Sequence, residues 1–337
     1  MRKYKIAIVG ATGVVGEMMR KVLVEKKLPI NEYAFFASAK SAGKRIEFMG
    51  KEYIVRELKE NSFEEKFDFA LFSAGGETSK KYSPIAAKNG CIVIDNSSAF
   101  RMDEKVPLVV PEVNCEQAKK NNGIIANPNC STIQAVVALK PLDDKYKIKR
   151  IVYSTYQAVS GAGSKGIKDL ENGIKGYVAN KEYELQKFNY PIFNNCLPQI
   201  DVFLENGYTK EEEKMINETR KILNRPELKI TATTVRVPVM NSHSESINVE
   251  FENGFEIEEL INTLKNSKGI IVQDDISKEI YPLAINTTGS DEVYVGRIRR
   301  DYSVENGVNL WVVADNIRKG AATNAIQIME YLMDEND

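Results

Sequence analysis

The start of the chain constrains its fold more than any other feature. Lys5-Ile6-Ala7-Ile8-Val9 is an apolar strand pattern, Gly10-Ala11-Thr12-Gly13-Val14-Val15-Gly16 is a glycine-rich turn, and the residues up to about Glu25 read as a helix. A strand that is apolar on both faces needs cover on both, which is what a parallel sheet wired through helices provides. The alternation persists. Residues 33–37 and 67–73 read as strands, 79–88 as a helix between turns, and 91–95 as another short buried strand. The first 130 residues therefore predict a parallel sheet with helices on both sides.

After Cys130 the texture changes. Arg150-Ile151-Val152-Tyr153-Ser154-Thr155-Tyr156 and residues 229–237 alternate or carry β-branched side chains, and 246–252 alternates plainly. Longer strands with one buried face, in an α+β layer, fit this pattern. Residues 173–195 are polar and read as an irregular surface excursion, 308–314 as a late apolar strand, and about 317–333 as a terminal helix. A length of 337 residues accommodates two domains with sizeable cores.

Composition excludes several functions. The 46 basic and 47 acidic residues are interspersed and nearly cancel, so no basic face is implied, which argues against nucleic acid and anionic membrane as partners. The N-terminus shows no signal-peptide core, and no apolar run approaches membrane-spanning length. Cys91, Cys115, Cys130 and Cys196 form no CxxC pair, and with one histidine in the chain no metal site is expected. Four free thiols in a reducing cytoplasm is the expected state.

Pro128-Asn129-Cys130-Ser131-Thr132 follows the apolar run Gly123-Ile124-Ile125-Ala126 and precedes Ile133, Val136, Val137 and Leu139 at helical spacing. This places the Cys130 sulfur at a strand-to-helix corner, on the first turn of a helix. Unpaired amides and the positive end of the helix dipole stabilise an anion there. A thiol so placed has its pKa pulled down, and the thiolate is the form that attacks carbonyl carbon. A small buried core cysteine is the plainer alternative.

The glycine turn suits a dinucleotide: its glycines let the backbone approach a pyrophosphate that the helix N-terminus then holds. Its spacing, G-x-x-G-x-x-G, departs from the usual G-x-G-x-x-G. Its place after the first strand carries more weight. The stretch Ala37-Ser38-Ala39-Lys40-Ser41-Ala42-Gly43-Lys44-Arg45 offers hydroxyls and cations where an NAD site usually has a carboxylate for the ribose 2′-OH. NADP is the expected cofactor, with a solvated basic loop as the alternative. His243 lies in Arg236-Val237-Pro238-Val239-Met240-Asn241-Ser242-His243-Ser244-Glu245-Ser246, read as a polar segment between strands. Cysteine plus histidine is the minimum for thiol-based acyl chemistry.

These stretches resemble the aspartate-semialdehyde dehydrogenases of bacterial type over nearly the whole chain. The matching motifs include Gly10 to Gly16, Ser41-Ala42-Gly43-Lys44, Ser97-Ser98-Ala99-Phe100-Arg101 and Val109-Val110-Pro111-Glu112-Val113-Asn114. They continue through Asn127 to Gln134, Ser154 to Gly163, Leu197-Pro198-Gln199-Ile200-Asp201 and Arg236 to His243. Val295-Gly296-Arg297-Ile298-Arg299 and Leu310 to Ala322 complete the series.

The resemblance implies a glyceraldehyde-3-phosphate-dehydrogenase-like architecture, with a Rossmann-like domain of residues 1–129 and 316–337 and an α+β catalytic and dimerisation domain of residues 130–315. It implies NADPH-dependent reductive dephosphorylation of L-4-aspartyl phosphate to aspartate semialdehyde, feeding lysine, methionine and threonine synthesis. By position, Cys130 is the nucleophile that forms an acyl thioester and His243 the general acid/base. Gln157 and Arg236 orient the substrate, Glu211 faces its amino group, and Arg101 and Lys214 hold phosphate. Gly10, Thr12, Gly13, Val14, Val15, Ser41, Ala42, Ser160, Gly161 and Asn316 line the cofactor. A homodimer is implied, and pairing of dimers into tetramers stays open. So does the choice among Glu211, Glu212 and Glu213. Cys196 replaces a more usual small apolar residue and reads as packing. Three other readings remain: a reductase of another acyl phosphate such as N-acetylglutamyl phosphate, an NADP-sensing protein with Cys130 as redox switch, and a structural oligomer.

Overall fold

Apolar pairs of faces on short strands build the first of two compact units, which comprises the residues up to Asn129 together with those from Ala321 on; Cys130–Gly320 form the second. A computed structural model describes residues Arg2 to Glu335. In the first unit the strands are β1 (Tyr4–Val9), β2 (Ile30–Ala37), the hairpin β3 (Arg45–Phe48) and β4 (Lys51–Ile54), β5 (Arg56–Glu57), β6 (Phe69–Phe72), β7 (Ile92–Asp95) and β8 (Ile124–Ala126). Six of them form one sheet in the order β5-β2-β1-β6-β7-β8, parallel throughout. The helices are α1 (Val14–Lys26), α2 (Gly76–Lys88), the short α3 (Pro111–Asn114) and the terminal helix Thr323–Asp334.

Alternation along β1 feeds two cores. Ile6 and Ile8 pack with Met19, Val22 and Leu23 of α1 and with Ile326 and Met329 of the terminal helix. Ala7 and Val9 pack on the other face with Phe36, Phe63, Phe72 and Ala86. The terminal helix is fixed by Asn324, whose Nδ2 donates to Val109 O at 3.0 Å and to Asn127 Oδ1 at 2.7 Å.

The second unit carries β9 (Ile148–Gln157), β10 (Lys229–Arg236), β11 (His243–Phe251), β12 (Ile270–Val272), β13 (Val293–Asp301) and β14 (Gly307–Ala314). They form a mixed sheet in the order β10-β9-β11-β14-β13-β12, parallel at its two ends and antiparallel between. Its helices are α4 (Cys130–Tyr146), α5 (Gly163–Ala179), α6 (Lys210–Leu223), α7 (Ile257–Lys265) and the short α8 (Ala284–Thr287).

Three expectations need correction. Residues 173–179 are the last turns of α5, so the irregular excursion starts only at Asn180. Its glycines are packing sites: a Cβ on Gly173 would stand 2.7 Å from Phe193 Cβ, and one on Gly176 2.9 Å from the Tyr183 ring. His243 is the first residue of β11 and fully buried, where a polar segment between strands was expected. The helix expected to run unbroken over about 317–333 opens as a π-helical turn over Arg318–Ala322 before Thr323–Asp334 begins. There Gly320 N–H reaches back to Asp315 O at 3.0 Å.

Candidate active site

One face of the second sheet changes character along its length. Toward one end it is apolar, with Ile151 and Tyr153 on β9, Ile247, Val249 and Phe251 on β11, and Val308 and Leu310 on β14, all buried. At the other end the same alternation sets Thr155 and Gln157, His243 and Glu245, and Thr234 and Arg236 in buried positions. α4 and α6 pack against this sheet and against each other. Cys130 opens α4, immediately after Asn127-Pro128-Asn129, and is partly exposed, whereas Ser131 through Leu139 are buried. The sequence-predicted corner is therefore present, with the thiol on the first turn.

Polar side chains at this end are joined. Gln157 Nε2 donates to Ser131 Oγ at 2.7 Å and to Glu211 Oε1 at 3.4 Å. Lys214 Nζ donates to Glu211 Oε2 at 3.1 Å and Asp201 Oδ2 at 2.8 Å. Burial works against the Lys214 cation, and Glu211 and Asp201 outweigh it, so its pKa is raised. Arg236 Nη1 donates to Ala158 O at 2.7 Å. Burial lowers its pKa, opposed by the charges of Glu211 and Cys130.

The three glutamates differ in what each side chain holds. Glu212 accepts the N–H groups of Thr209 and Thr234, at 2.7 and 2.9 Å, and serves as half of a capping box. Glu213 accepts from Asn206 and Asn217 at 2.9 Å each. Glu211 alone of the three meets Gln157.

His243 Nδ1 accepts the Ala158 N–H at 3.0 Å, while Nε2 is buried without a protein partner. Burial, then the Arg236 charge, holds the imidazole well below its usual pKa, so it is neutral at pH 7. Gly161 presses on this pair: a Cβ there would lie 3.1 Å from Arg236 Nη1 and 3.2 Å from His243 Nε2. Ser160 meets Asn316, whose Nδ2 donates to Ser160 Oγ at 3.0 Å and whose Oδ1 accepts the Ser242 N–H at 2.9 Å. Gly320 abuts the nucleophile candidate, its absent Cβ being 2.9 Å from Cys130 Cβ.

Sequence reasoning missed four participants. The Ala158 amide and Ser131 act through geometry that residue type does not announce. Gly320 was quoted in a motif without a role. Glu245 is the fourth: it is fully buried, neither carboxyl oxygen has a partner, and burial followed by the Glu211 charge raises its pKa well above the usual range.

The first unit holds the remaining candidates. Gly10 has φ +85°, and a Cβ there would overlap the Ser73 carbonyl; one on Gly16 would overlap the Gly10 carbonyl. Gly13 caps α1 without a side-chain hydrogen bond, leaving the first helical amides free of any capping side chain. Thr12, Val14 and Val15 are half-buried around it. Ser41 and Ala42 both donate their N–H groups to Ser38 O, in a turn just past β2. Arg101 is buried, with Nε on Asn127 O and Nη2 on Asn96 O, each at 3.0 Å. Among the described residues no group of ligating side chains could hold a metal ion, and no helix is long and apolar enough to cross a membrane.

Comparison with known proteins identifies the family. Residues 5–121 match the family described as "Semialdehyde dehydrogenase, NAD binding domain", and residues 139–319 the one described as "Semialdehyde dehydrogenase, dimerisation domain". The aspartate-semialdehyde dehydrogenase of Aquifex aeolicus is 58% identical over 336 residues, covering 98% of each chain. The crystal structure of aspartate semialdehyde dehydrogenase II complexed with ASA from Vibrio cholerae is 47% identical and superposes with a TM-score of 0.96 over 99% of each chain. That of the Candida albicans aspartate semialdehyde dehydrogenase with NADP is 26% identical, with a TM-score of 0.78 over 99% of each chain. With two domain families in order and full-length relatives above half identity, this chain belongs to the aspartate-semialdehyde dehydrogenase family of nicotinamide-dependent oxidoreductases.

Proposed function

We propose that the enzyme converts L-4-aspartyl phosphate to L-aspartate 4-semialdehyde and phosphate with NADPH, through an acyl thioester on Cys130, in the branch that feeds lysine, methionine and threonine synthesis. One observation carries the reading. Around the partly exposed thiol at the start of α4, the second unit gathers a neutral imidazole, a buried guanidinium and a Gln157–Glu211–Lys214 chain.

Each group has a part that its chemistry suits. The Cys130 thiolate, favoured by the helix start and by the Arg236 charge, adds to the acyl carbon as the bond to phosphate breaks. The planar Arg236 fork matches the substrate's α-carboxylate, and Glu211 its ammonium. Lys214 and Arg101 answer the phosphate. The oxyanion formed at each addition is met by the first amides of α4 and by His243, the acid–base group of this reading. Gln157 keeps Glu211 and Ser131 in register for these contacts.

The residues fit a dinucleotide. The Gly10–Gly16 turn is crowded by backbone where side chains would intrude, and α1 starts without a capping side chain, as a pyrophosphate cradle requires. Thr12, Gly13, Val14 and Val15 would hold the pyrophosphate. Ser41 and Ala42 would hold the adenosine ribose, and Ser160, Gly161 and Asn316 the nicotinamide end. When bound, the nicotinamide supplies the hydride that reduces the thioester. NADP is favoured over NAD because the turn after β2 carries Ser38, Lys40 and Lys44 and no carboxylate. The family relative crystallised with NADP supports the same choice.

A homodimer is supported by the dimerisation-domain match and by exposed Tyr177, Val178, Val202 and Phe203 in the second unit. The free thiols suit a reducing cytoplasm. Initial rates with aspartate semialdehyde, phosphate and either nicotinamide, beside N-acetylglutamate semialdehyde, test the reading. Phosphate-dependent reduction of NADP with the unacetylated aldehyde is expected, since Glu211 attracts a free ammonium. Preference for the acetylated substrate overturns the substrate assignment.

A further inference from the structure

α5 carries glycine where a helix gains nothing from it. Gly166, Gly173 and Gly176 fall on one face with Asp169 and Leu170, and all five are buried. Glycine inside a helix is less stabilising than alanine, so this face serves close approach rather than helix strength. The chain that approaches it is the irregular segment following α5. A Cβ on Gly166 would lie 3.3 Å from the Phe188 ring, one on Gly173 2.7 Å from Phe193 Cβ, and one on Gly176 2.8 Å from Lys181 O.

A single carboxylate stands in the middle of that face. Asp169 is fully buried, and its two oxygens take three successive backbone N–H groups. Oδ1 accepts from Gln186 at 2.7 Å, and Oδ2 from Lys187 and Phe188 at 2.8 and 3.0 Å. Consecutive amides aimed at one anion make a cradle that a neutral group fills poorly. Phe188, so held, packs with Val159, Leu170 and Ile192 in a small core of its own. Val159 opens the 3-10 turn Val159–Ala162. The other side of this turn is pinned by Val159 N–H to Val239 O at 2.9 Å and by Ser160 N–H to Met240 O at 3.2 Å. The turn presents Ser160 to Asn316, and Gly161 to Arg236 and His243.

We infer that Asp169 is a positioning residue for the cofactor: by latching residues 186–188 onto α5 it seats Phe188 behind Val159 and fixes the turn that carries Ser160 and Gly161. The segment of residues 180–195 is then a strap that buttresses the nicotinamide end of the site. The inference rests on the proposed assignment of Ser160 and Gly161 to that end and extends it outward. Asp169 acts through the turn and not on reacting atoms. Its influence is selective, because the start of α4 and the glycine turn after β1 are built from other residues. A side chain that only stabilised the fold would have no such preference.

Full-length enzyme and two variants, Asp169→Asn and Phe188→Ala, test this. The first keeps the shape and turns one acceptor oxygen into a donor that faces N–H groups. The second spares the carboxylate and empties the seat behind Val159. Three quantities are compared beside turnover: NADPH affinity by fluorescence titration, affinity for adenosine 2′,5′-bisphosphate, which lacks the nicotinamide, and the rate of Cys130 alkylation by iodoacetamide, followed on its own peptide. In both variants the Kd for NADPH should rise about 3–10-fold. Turnover of aspartate semialdehyde with phosphate should fall about 10–100-fold. Bisphosphate affinity and the alkylation rate should stay at wild-type values. NADPH affinity and turnover unchanged in both variants would reduce the strap to a surface loop and overturn the inference. All four quantities falling together would overturn it too, as a general loosening of the fold, and an effect in one variant alone would break the link between carboxylate and ring. Wild-type enzyme that binds NADPH without phosphate-dependent oxidation of aspartate semialdehyde would sink the functional reading. The ratio of NADPH to bisphosphate affinity in the variants would still decide the inference.

Discussion

At the scale of residues, the site depends on atoms that are absent as much as on those present. Gly161 sits where a methyl would press on both Arg236 and His243, at 3.1 and 3.2 Å. Neither neighbour can yield: one is tied to Ala158 O and the other to Ala158 N–H. Gly161→Ala should therefore lower kcat/KM by about 10–100-fold with the fold intact, as ångström-scale misplacement of reacting groups does. Steady-state kinetics beside circular dichroism checks this, and an unchanged kcat/KM contradicts it. Glu245 presents the opposite case, a buried acid with no partner. Its folded pKa lies above its unfolded value, so the stability it confers is complete below the carboxylate range and is lost as pH rises toward the folded value. Glu245→Met should equal or exceed the wild type by about 1–3 kcal/mol in urea at alkaline pH, the margin narrowing in acid. A variant less stable at every pH contradicts the assignment. Cys130 and His243 were legible as residue types of rare and reactive chemistry. Glu245, Ser131 and the Ala158 amide were not, because their importance comes from register: Glu245 stands opposite Thr155 across β9 and β11, and nothing in residue order announces that pair.

At the scale of elements, α4 and β11 do most of the positioning, and both begin with a chemical residue. β11 starts at His243 because Ser244 pairs with Tyr156 and His243 with Ala314, extending the ladder beyond the alternation visible at 246–252. Polar side chains hid those first residues, since strand patterns are recognised by apolar repetition. The same weakness concealed α5, whose glycines mark close packing against Tyr183 and Phe193. By contrast β1, α1 and the α4 start were legible, because continuous apolar runs and a glycine turn leave few alternatives. The π-helical turn over Arg318–Ala322 brings Gly320 against Cys130, a contact invisible in sequence. Gly320→Ala should displace the Cys130 thiol, reducing turnover and the rate of Cys130 alkylation together. Alkylation at the wild-type rate would show that the turn accommodates the methyl.

At the scale of the molecule, two compact units carry different sets of candidate residues. The parallel sheet of the first leads into a glycine turn, and the second sets a thiol at the start of α4 and an imidazole and a guanidinium on its mixed sheet. Family membership was legible because motifs from both units occur in order along one chain. The contacts that hold individual side chains were not legible: Lys214 lies between Asp201 and Glu211, and Arg101 holds the carbonyls of Asn96 and Asn127. Light scattering at micromolar concentration should give twice the chain mass, and a monomer would contradict the dimer. The chemistry itself is tested most directly by trapping its intermediate. Enzyme mixed with aspartate semialdehyde and oxidised NADP, without phosphate, is quenched in acid and its peptides are weighed. An aspartyl group on the Cys130 peptide, discharged when phosphate is added before the quench, is the predicted result. Turnover with that peptide unmodified, or with the acyl group on another residue, would contradict it.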